Sequence, residues 1–187
     1  MSKKNIKDLQ GLNIEDTVED LEDIGENKFL RIVKELLPYA IILIVVILIR
    51  SFVVTPIMVS GDSMNPTFDG GEVLLLNKLD EISRYEIVVA NVKDEKIIKR
   101  VIAMPGESIS CENGVIFVND KKIEESYGIG ITSDFDRVVL GDDEYFVLGD
   151  NREDSLDSRK LGPINEKYIK GTTKFVLFPF TKFGNVK

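Results

Sequence analysis

Apolar and polar positions divide the chain into three parts. Met1 to Glu35 is polar and acidic. Glu15, Asp16, Glu19, Asp20, Glu22 and Asp23 follow almost in a run, and Leu21, Ile24 and Leu30 offer only a short apolar stripe. Such a stretch reads as a mobile acidic tail (1–35) with at most one helix. Leu36 to Pro56 is mostly apolar, and Arg50 is its only charged residue. Leu36 to Ile49 covers only about 21 Å as a helix, short of a bilayer core of roughly 30 Å. Carried to Pro56, the segment reaches about 31 Å. Arg50 lies near its end, where a long basic side chain snorkels to the interface. The pattern predicts one transmembrane helix, entered between Phe29 and Val33. A buried core helix of this length would carry a polar stripe, and none is present. A cleavable signal peptide would start short and basic and end at a small-x-small site. This segment starts behind acidic residues and runs into SFVVTPIM.

From Ile57 to Lys187 the period changes to that of strands. VLLLNKL, YEIVVANV, KIIKRVIAM, GVIFVND, RVVL, EYFVLGD and TKFVLFPF are short β-branched or aromatic runs punctuated by Gly, Asn and Asp. Asn113-Gly114 and Asn119-Asp120 are turn signals, the first the stronger. Helical spacing appears only near Glu166 to Ile169. The expected fold class is a mostly β ectodomain of antiparallel sheets behind one N-terminal transmembrane helix.

Orientation follows the basic residues beside the apolar segment. Lys28, Arg31 and Lys34 precede it, whereas Arg50 is followed by no basic residue until Lys78. The N-terminus is therefore expected in the cytoplasm and the domain from Ile57 on the extracytoplasmic face.

Composition narrows the chemistry. With 43% hydrophobic and 30% charged residues, the chain is neither disordered nor a multi-span membrane protein. A net charge of −8 removes the basic face that nucleic-acid binding needs. There is no histidine, which excludes Ser-His-Asp, Cys-His and His-ligated metal sites. The single Cys111 excludes an internal disulfide or a Cys-rich zinc site. Catalysis is left to Ser, Thr, Lys, Tyr, Asp, Glu and Arg.

Three segments then stand out. In VSGDSMNPTF, Gly61-Asp62-Ser63 is turn-like and Asn65-Pro66 makes a second bend. A serine on such a turn presents its hydroxyl and its own N–H together, as acyl transfer requires. In KIIKRVIAMPGE, strand alternation places Ile97, Lys99, Val101 and Ala103 on one face. A lysine works as a base near pH 7–8 only if its pKa falls roughly three units, and burial among aliphatic groups supplies that. In LGDNREDSLDSRKLGPI, Ser155, Asp157 and Arg159 occupy alternate positions of a polar loop. There, a hydroxyl orients a neutral lysine and an Asp–Arg pair braces the loop. An EF-hand calcium loop does not fit, because the third position after Asp150 is Arg152 and no glycine follows in register. Taken singly, each segment is also compatible with an ordinary turn, a snorkelling edge lysine or a solvated loop.

Together and in this order, SGDSMNPTF, KRVIAMPGE and GDNREDSLDSR resemble the type I (leader) signal peptidases, most of all the small single-span bacterial forms. The resemblance covers roughly Leu36 to Phe180. It implies a membrane-bound serine endopeptidase that removes signal peptides from exported preproteins after small-x-small sites, with no metal and no cofactor. It implies Ser63 as nucleophile, Lys99 as general base, Ser155 as the hydroxyl bonded to the lysine, and Asp157 with Arg159 as the bracing pair. Val59, Met64 and Ile98 map to the substrate-pocket wall, with Ile57 and Ile97 nearby. The substrate is expected to lie extended along sheet edges, one of them near Ile57 to Ser60. One position departs from some relatives. Gly61 stands where they carry a hydroxyl that completes the oxyanion hole, so the Ser63 N–H becomes the donor, with Gly61 allowing close approach or donating through its own N–H. The partners implied are signal peptides, membrane lipid and the secretion machinery, with no nucleic acid. A repressor-like Ser–Lys protease would carry a DNA-binding region where the apolar helix stands. A non-catalytic relative assisting surface-protein or pilus assembly remains the alternative, as does an anchored β domain of other purpose.

Overall fold

A computed structural model describes residues 14–93 and 95–186, with side chains from Lys28 onward. The helix α1 spans Ile14–Phe52 without a break, so it starts well before Leu36; Met1 to Asn13 lie outside the described residues. Glu, Leu and Lys in its first half are good helix formers, which explains a helix without a strong apolar period. Its second half, IILIVVILI, is β-branched and a poor helix former in water. In hydrocarbon the order reverses, because only a helix satisfies every backbone group within one segment. Lys28–Phe52 holds an 18-residue window of mean hydropathy 2.6 and is long and apolar enough to cross a membrane, and none of it is buried.

The β domain is built from Val54–Met58 (β1), Val73–Asn77 (β2), Ile87–Val92 (β3), Glu95–Ala103 (β4), Ser108–Glu112 (β5) and Val115–Val118 (β6). It continues through Lys121–Lys122 (β7), Phe135–Val139 (β8), Glu144–Leu148 (β9), Ile164–Asn165 (β10), Ile169–Phe178 (β11) and Gly184–Asn185 (β12). The larger sheet runs β1-β2-β11-β3-β4-β9-β10, with β12 beside β11. The smaller runs β7-β6-β5-β8. All these pairings are antiparallel, as the short alternating runs predict.

Val54–Pro56, read from hydropathy as the end of the apolar helix, belong to β1 instead. An apolar strand abutting an apolar helix leaves no break in hydropathy. Pro56 cannot donate to a ladder and so suits the sheet edge, where β1 lies. The β5–β6 and β6–β7 turns are made by Asn113-Gly114 (φ 52°, 77°) and Asn119-Asp120 (φ 49°, 62°). Positive φ at both central residues matches the twist of the flanking strands. The helical spacing near Glu166 resolves into a 3₁₀ turn, Glu166–Tyr168. A further short helix, Ser158–Leu161 (α2), starts where Asp157 caps the Arg159 N–H.

Three apolar clusters hold the domain. One gathers Ile57, Val59, Met64, Phe68, Leu74 and Ile98. A second, involving the smaller sheet, contains Ile102, Ala103, Ile109, Cys111 and Phe146. The third contains Val88, Ala90, Val101, Tyr145 and Val147, with Ile97 packed against it. A bulge between Val101 and Ala103 interrupts the alternation of β4. Ala103 therefore joins the second cluster rather than sharing a face with Ile97 and Val101.

Candidate active site

Ser63 sits in the connection between β1 and β2. Gly61 starts the turn at φ +74°, a backbone state that glycine adopts without a Cβ penalty. The Asn65 N–H donates to the Asp62 carbonyl at 3.0 Å, and the Phe68 N–H to the Met64 carbonyl at 2.9 Å. Met64 and Phe68 are buried in the first cluster and pull the turn onto the domain, while Ser63 stays half-buried. Among the described residues the Ser63 N–H has no hydrogen-bond partner.

Lys99 arrives from β4, where it pairs with Val88 of β3. It is 4% exposed. Its Nζ lies 2.7 Å from Ser63 Oγ and 3.0 Å from the Ile98 carbonyl. Burial lowers its pKa from the ordinary 10.5 to about 8, against the carboxylates of Asp157 and Asp150, which pull it up. Arg159 pushes it slightly further down. The charged amine donates to Ser63 Oγ; once neutral, it accepts the hydroxyl proton instead.

The third motif supplies the frame. Asp157 is fully buried and accepts from Arg159 through both oxygens, Nε–Oδ1 at 2.9 Å and Nη2–Oδ2 at 2.8 Å. The Gly149 N–H adds a bond to Oδ2 at 3.1 Å. Burial alone would raise this carboxyl; the Arg159 and Gly149 hydrogen bonds outweigh it and hold the pKa below the usual carboxylate range. Arg159 also reaches the Arg152 carbonyl at 2.8 Å. Ser155 is buried in the same loop, but its Oγ has no hydrogen-bond partner among the described residues. The expected bond from Ser155 to Lys99 is thus not formed here; Nζ meets Ser63 and the Ile98 carbonyl instead.

Residues without an expected role complete the frame. A Cβ on Gly149 would collide with Ser155 Oγ and lie 2.5 Å from the Ser63 carbonyl oxygen, so this position brings the first and third motifs into contact. The Asn151 N–H donates to the Ser63 carbonyl at 3.0 Å, and Asn151 Nδ2 to the Asp62 carbonyl at 3.3 Å. Asp150, fully buried, takes Nε and Nη2 of Arg100 at 2.8 and 2.6 Å and also the hydroxyl of Thr67. Each of these residues lies inside one of the three motifs. What sequence lacked was any sign that Arg100, next to Lys99, answers Asp150.

Of the expected wall residues, Ile57, Val59, Met64 and Ile98 meet in one cluster. Ile97 does not join them; strand alternation turns it to the third cluster.

A mostly antiparallel β domain behind one apolar helix, carrying a serine against a buried lysine, has the make-up of an anchored serine peptidase. The chain belongs to the signal peptidase family, peptidase S26, whose model matches residues 31–178. It is 40% identical over 166 residues to a signal peptidase I of Bacillus amyloliquefaciens, covering 79% of this chain and 90% of that protein. It is 39% identical over 165 residues to signal peptidase I T of Bacillus subtilis strain 168, covering 79% and 86%. The crystal structure of a signal peptidase I from Enterococcus faecalis V583 is similar over 50% of this chain and 97% of that one, with 24% identity and TM-score 0.46.

Proposed function

We propose that this chain removes signal peptides from exported preproteins, with Ser63 as nucleophile and Lys99 as general base. The observation that carries the reading is the 2.7 Å approach of Lys99 Nζ to Ser63 Oγ, at a lysine whose pKa burial lowers to about 8. A neutral Nζ takes the hydroxyl proton as Oγ attacks the scissile carbonyl, and returns it to the leaving amine. The unpartnered Ser63 N–H is available to the developing oxyanion, since Gly61 offers no hydroxyl. Water then hydrolyses the acyl-enzyme, with Lys99 again accepting the proton. The Asp157–Arg159 pair braces the loop beside the amine. The Lys99–Ser63 approach speaks against a non-catalytic role.

The substrate lies extended on the free edge of β1. Val59 turns its N–H and carbonyl inward, to Glu72 and Gly71, at 2.8 and 2.9 Å. By the alternation of an antiparallel ladder, Met58 and Ser60 turn theirs outward. Upstream, Pro56 has no N–H to offer. The Ile57, Val59, Met64 and Ile98 wall is apolar and closely packed, which suits small side chains one and three positions before the cleaved bond. Pairing of Met58 with Val73 and of Val73 with Phe178 sets three apolar side chains in one row. Met58 and Phe178 are exposed, which suits a domain working against membrane lipid.

The anchor and tail fit the same reading. Lys28, Arg31 and Lys34 against the lone Arg50 favour a cytoplasmic N-terminus and an extracytoplasmic catalytic domain from β1 onward, beside the export machinery. The test is mass spectrometry of a preprotein with an Ala-x-Ala site, incubated with the full chain in lipid. Cleavage after the second Ala by wild type, and by neither Ser63→Ala nor Lys99→Ala, is expected. Cleavage by Ser63→Ala at the wild-type rate overturns the mechanism.

A further inference from the structure

Residues 123–134, between β7 and β8, lie outside all three motifs, yet they grip the loop that carries the third. The Ile129 N–H donates to the Asp150 carbonyl at 2.8 Å, and the Arg152 N–H to the Ile129 carbonyl at 3.0 Å. These bonds make a parallel bridge between Ile129 and Asn151. Gly128 passes so close to the Arg152 guanidinium that a Cβ would stand 3.0 Å from Nη2. Beneath it, buried Arg152 is held by Glu125 at 2.6 Å through each oxygen and by Thr132 Oγ1 at 2.7 Å. Arg152 Nε returns to the Gly149 carbonyl at 3.0 Å.

The same strap reaches the second motif. The Tyr127 ring lies under the Arg100 guanidinium, 4.0 Å from its centroid to Cζ. The Tyr127 hydroxyl donates to Glu125 Oε1 at 3.0 Å. Burial, then the Glu125 carboxylate, push that hydroxyl's pKa far up, so it stays a donor. Arg100 is therefore clasped between Asp150 on one side and an aromatic face on the other.

We propose that Tyr127 and Glu125 are positioning residues for the reaction: they hold Arg100 and Arg152, and through them the Gly149–Arg152 loop that fixes Ser63. The inference rests on the reading of Ser63 and Lys99 as the reacting pair. Neither residue touches Ser63 or Lys99. The path runs from Glu125 through Arg152 to Gly149, and from Tyr127 through Arg100 to Asp150. It ends at the Asn151 N–H on the Ser63 carbonyl. Loosening either arginine frees the loop, and with it the angle at which Ser63 Oγ meets Nζ. The binding edge at β1 is untouched, so the effect falls on turnover rather than on substrate binding.

The test compares wild type, Tyr127→Leu, Tyr127→Phe and Glu125→Gln as full chains in lipid vesicles. Steady-state cleavage of the Ala-x-Ala preprotein is measured well below each melting temperature, together with amide hydrogen exchange of peptides covering residues 149–152. Tyr127→Leu and Glu125→Gln are expected to lower kcat about tenfold with KM nearly unchanged, in line with the sensitivity of attack geometry to small displacements. Tyr127→Phe keeps the ring under Arg100 and recovers most of the loss. Exchange at 149–152 rises in the first two variants and not in β3. Wild-type kcat in folded Tyr127→Leu and Glu125→Gln overturns the proposal, as does unchanged exchange at 149–152. A wild type that cleaves nothing, with exchange still raised in the variants, removes the reaction assigned to Ser63 and supports the hold of the strap on its loop.

Discussion

The backbone N–H of Asn151 donates to the carbonyl of Ser63 at 3.0 Å, so the loop after β9 holds the Ser63 turn by its main chain. The hold depends on how closely the two segments approach. Gly149, two residues earlier, lies where a Cβ would be 2.5 Å from the same carbonyl.

Gly149→Ala should therefore be a severe substitution. The added methyl must displace either the Ser63 turn or Ser155, and overpacking of this kind costs about 1–3 kcal/mol. Thermal melting is expected to show that loss, and cleavage should fall further than stability alone explains. Wild-type cleavage by Gly149→Ala would mean that the two motifs need not touch.

The pH dependence of cleavage follows from Lys99. Its amine is a base only when neutral, and its pKa is lowered to about 8. The rate should rise as pH increases through about 8 and level off above it. A limb that stays near the ordinary lysine value of 10.5 would remove burial as the activating cause.

The same shift makes a stability prediction. Between about 8 and 10.5 the unfolded chain binds a proton at Lys99 that the folded chain does not, so stability from this group rises with pH across that window. Below it the burial penalty is fully present. Lys99→Met should thus be inactive, yet more stable than wild type at pH 7 by up to about 3 kcal/mol, an order-of-magnitude figure at 1.36 kcal/mol per pKa unit. The advantage should shrink towards pH 10.5. Denaturant unfolding at the two pH values measures it; equal stability at both would contradict the lowered pKa.

Arg100 and Asp150 form a nearly dry pair, with side chains 11% and 0% exposed. Removing one partner leaves a buried charge, which costs roughly 3–5 kcal/mol. Arg100→Met alone should destabilise by about that much. Adding Asp150→Asn should recover a large part, and a double-mutant cycle reads the coupling. Strict additivity of the two would show that the pair is not a unit.

Gly61→Ala separates backbone from chemistry. Nothing lies within 4 Å of a Cβ there, so the cost is that of φ +74° for a residue with a side chain, about 1 kcal/mol. Cleavage should persist, because the proposed oxyanion donor is the Ser63 N–H. Loss of cleavage in a folded Gly61→Ala protein would place an essential role on the bare glycine.

How much of this was legible in the chain depends on the range of each interaction. Asn113-Gly114 and Asn119-Asp120 marked their turns because positive φ is a local property of those residues. The apolar helix was visible because lipid imposes composition on a continuous segment. Its true start was not, because α1 continues to Ile14 through polar residues that show no strong apolar period. Val54–Pro56 were misplaced for the converse reason: apolar character is shared by helix and strand, and only pairing with β2 distinguishes them. The resemblance puts Ile97 beside the wall that holds Ile98, whereas strand alternation sends the two to different clusters.

Sequence by itself determined the elements whose causes are local: the membrane-crossing stretch, the run of short strands, the turns, and a catalytic repertoire that had to work without histidine. It also carried the three motifs that mark the family. Tertiary structure alone decided that Lys99 meets Ser63 from 36 positions away, that Asp150 answers Arg100 from 50, and that Gly149 sits between Ser63 and Ser155. Those relations follow from sheet register, a bulge in β4 and the removal of water around an amine. Each is a property of packed surfaces, which no stretch of chain possesses before the sheets close over it.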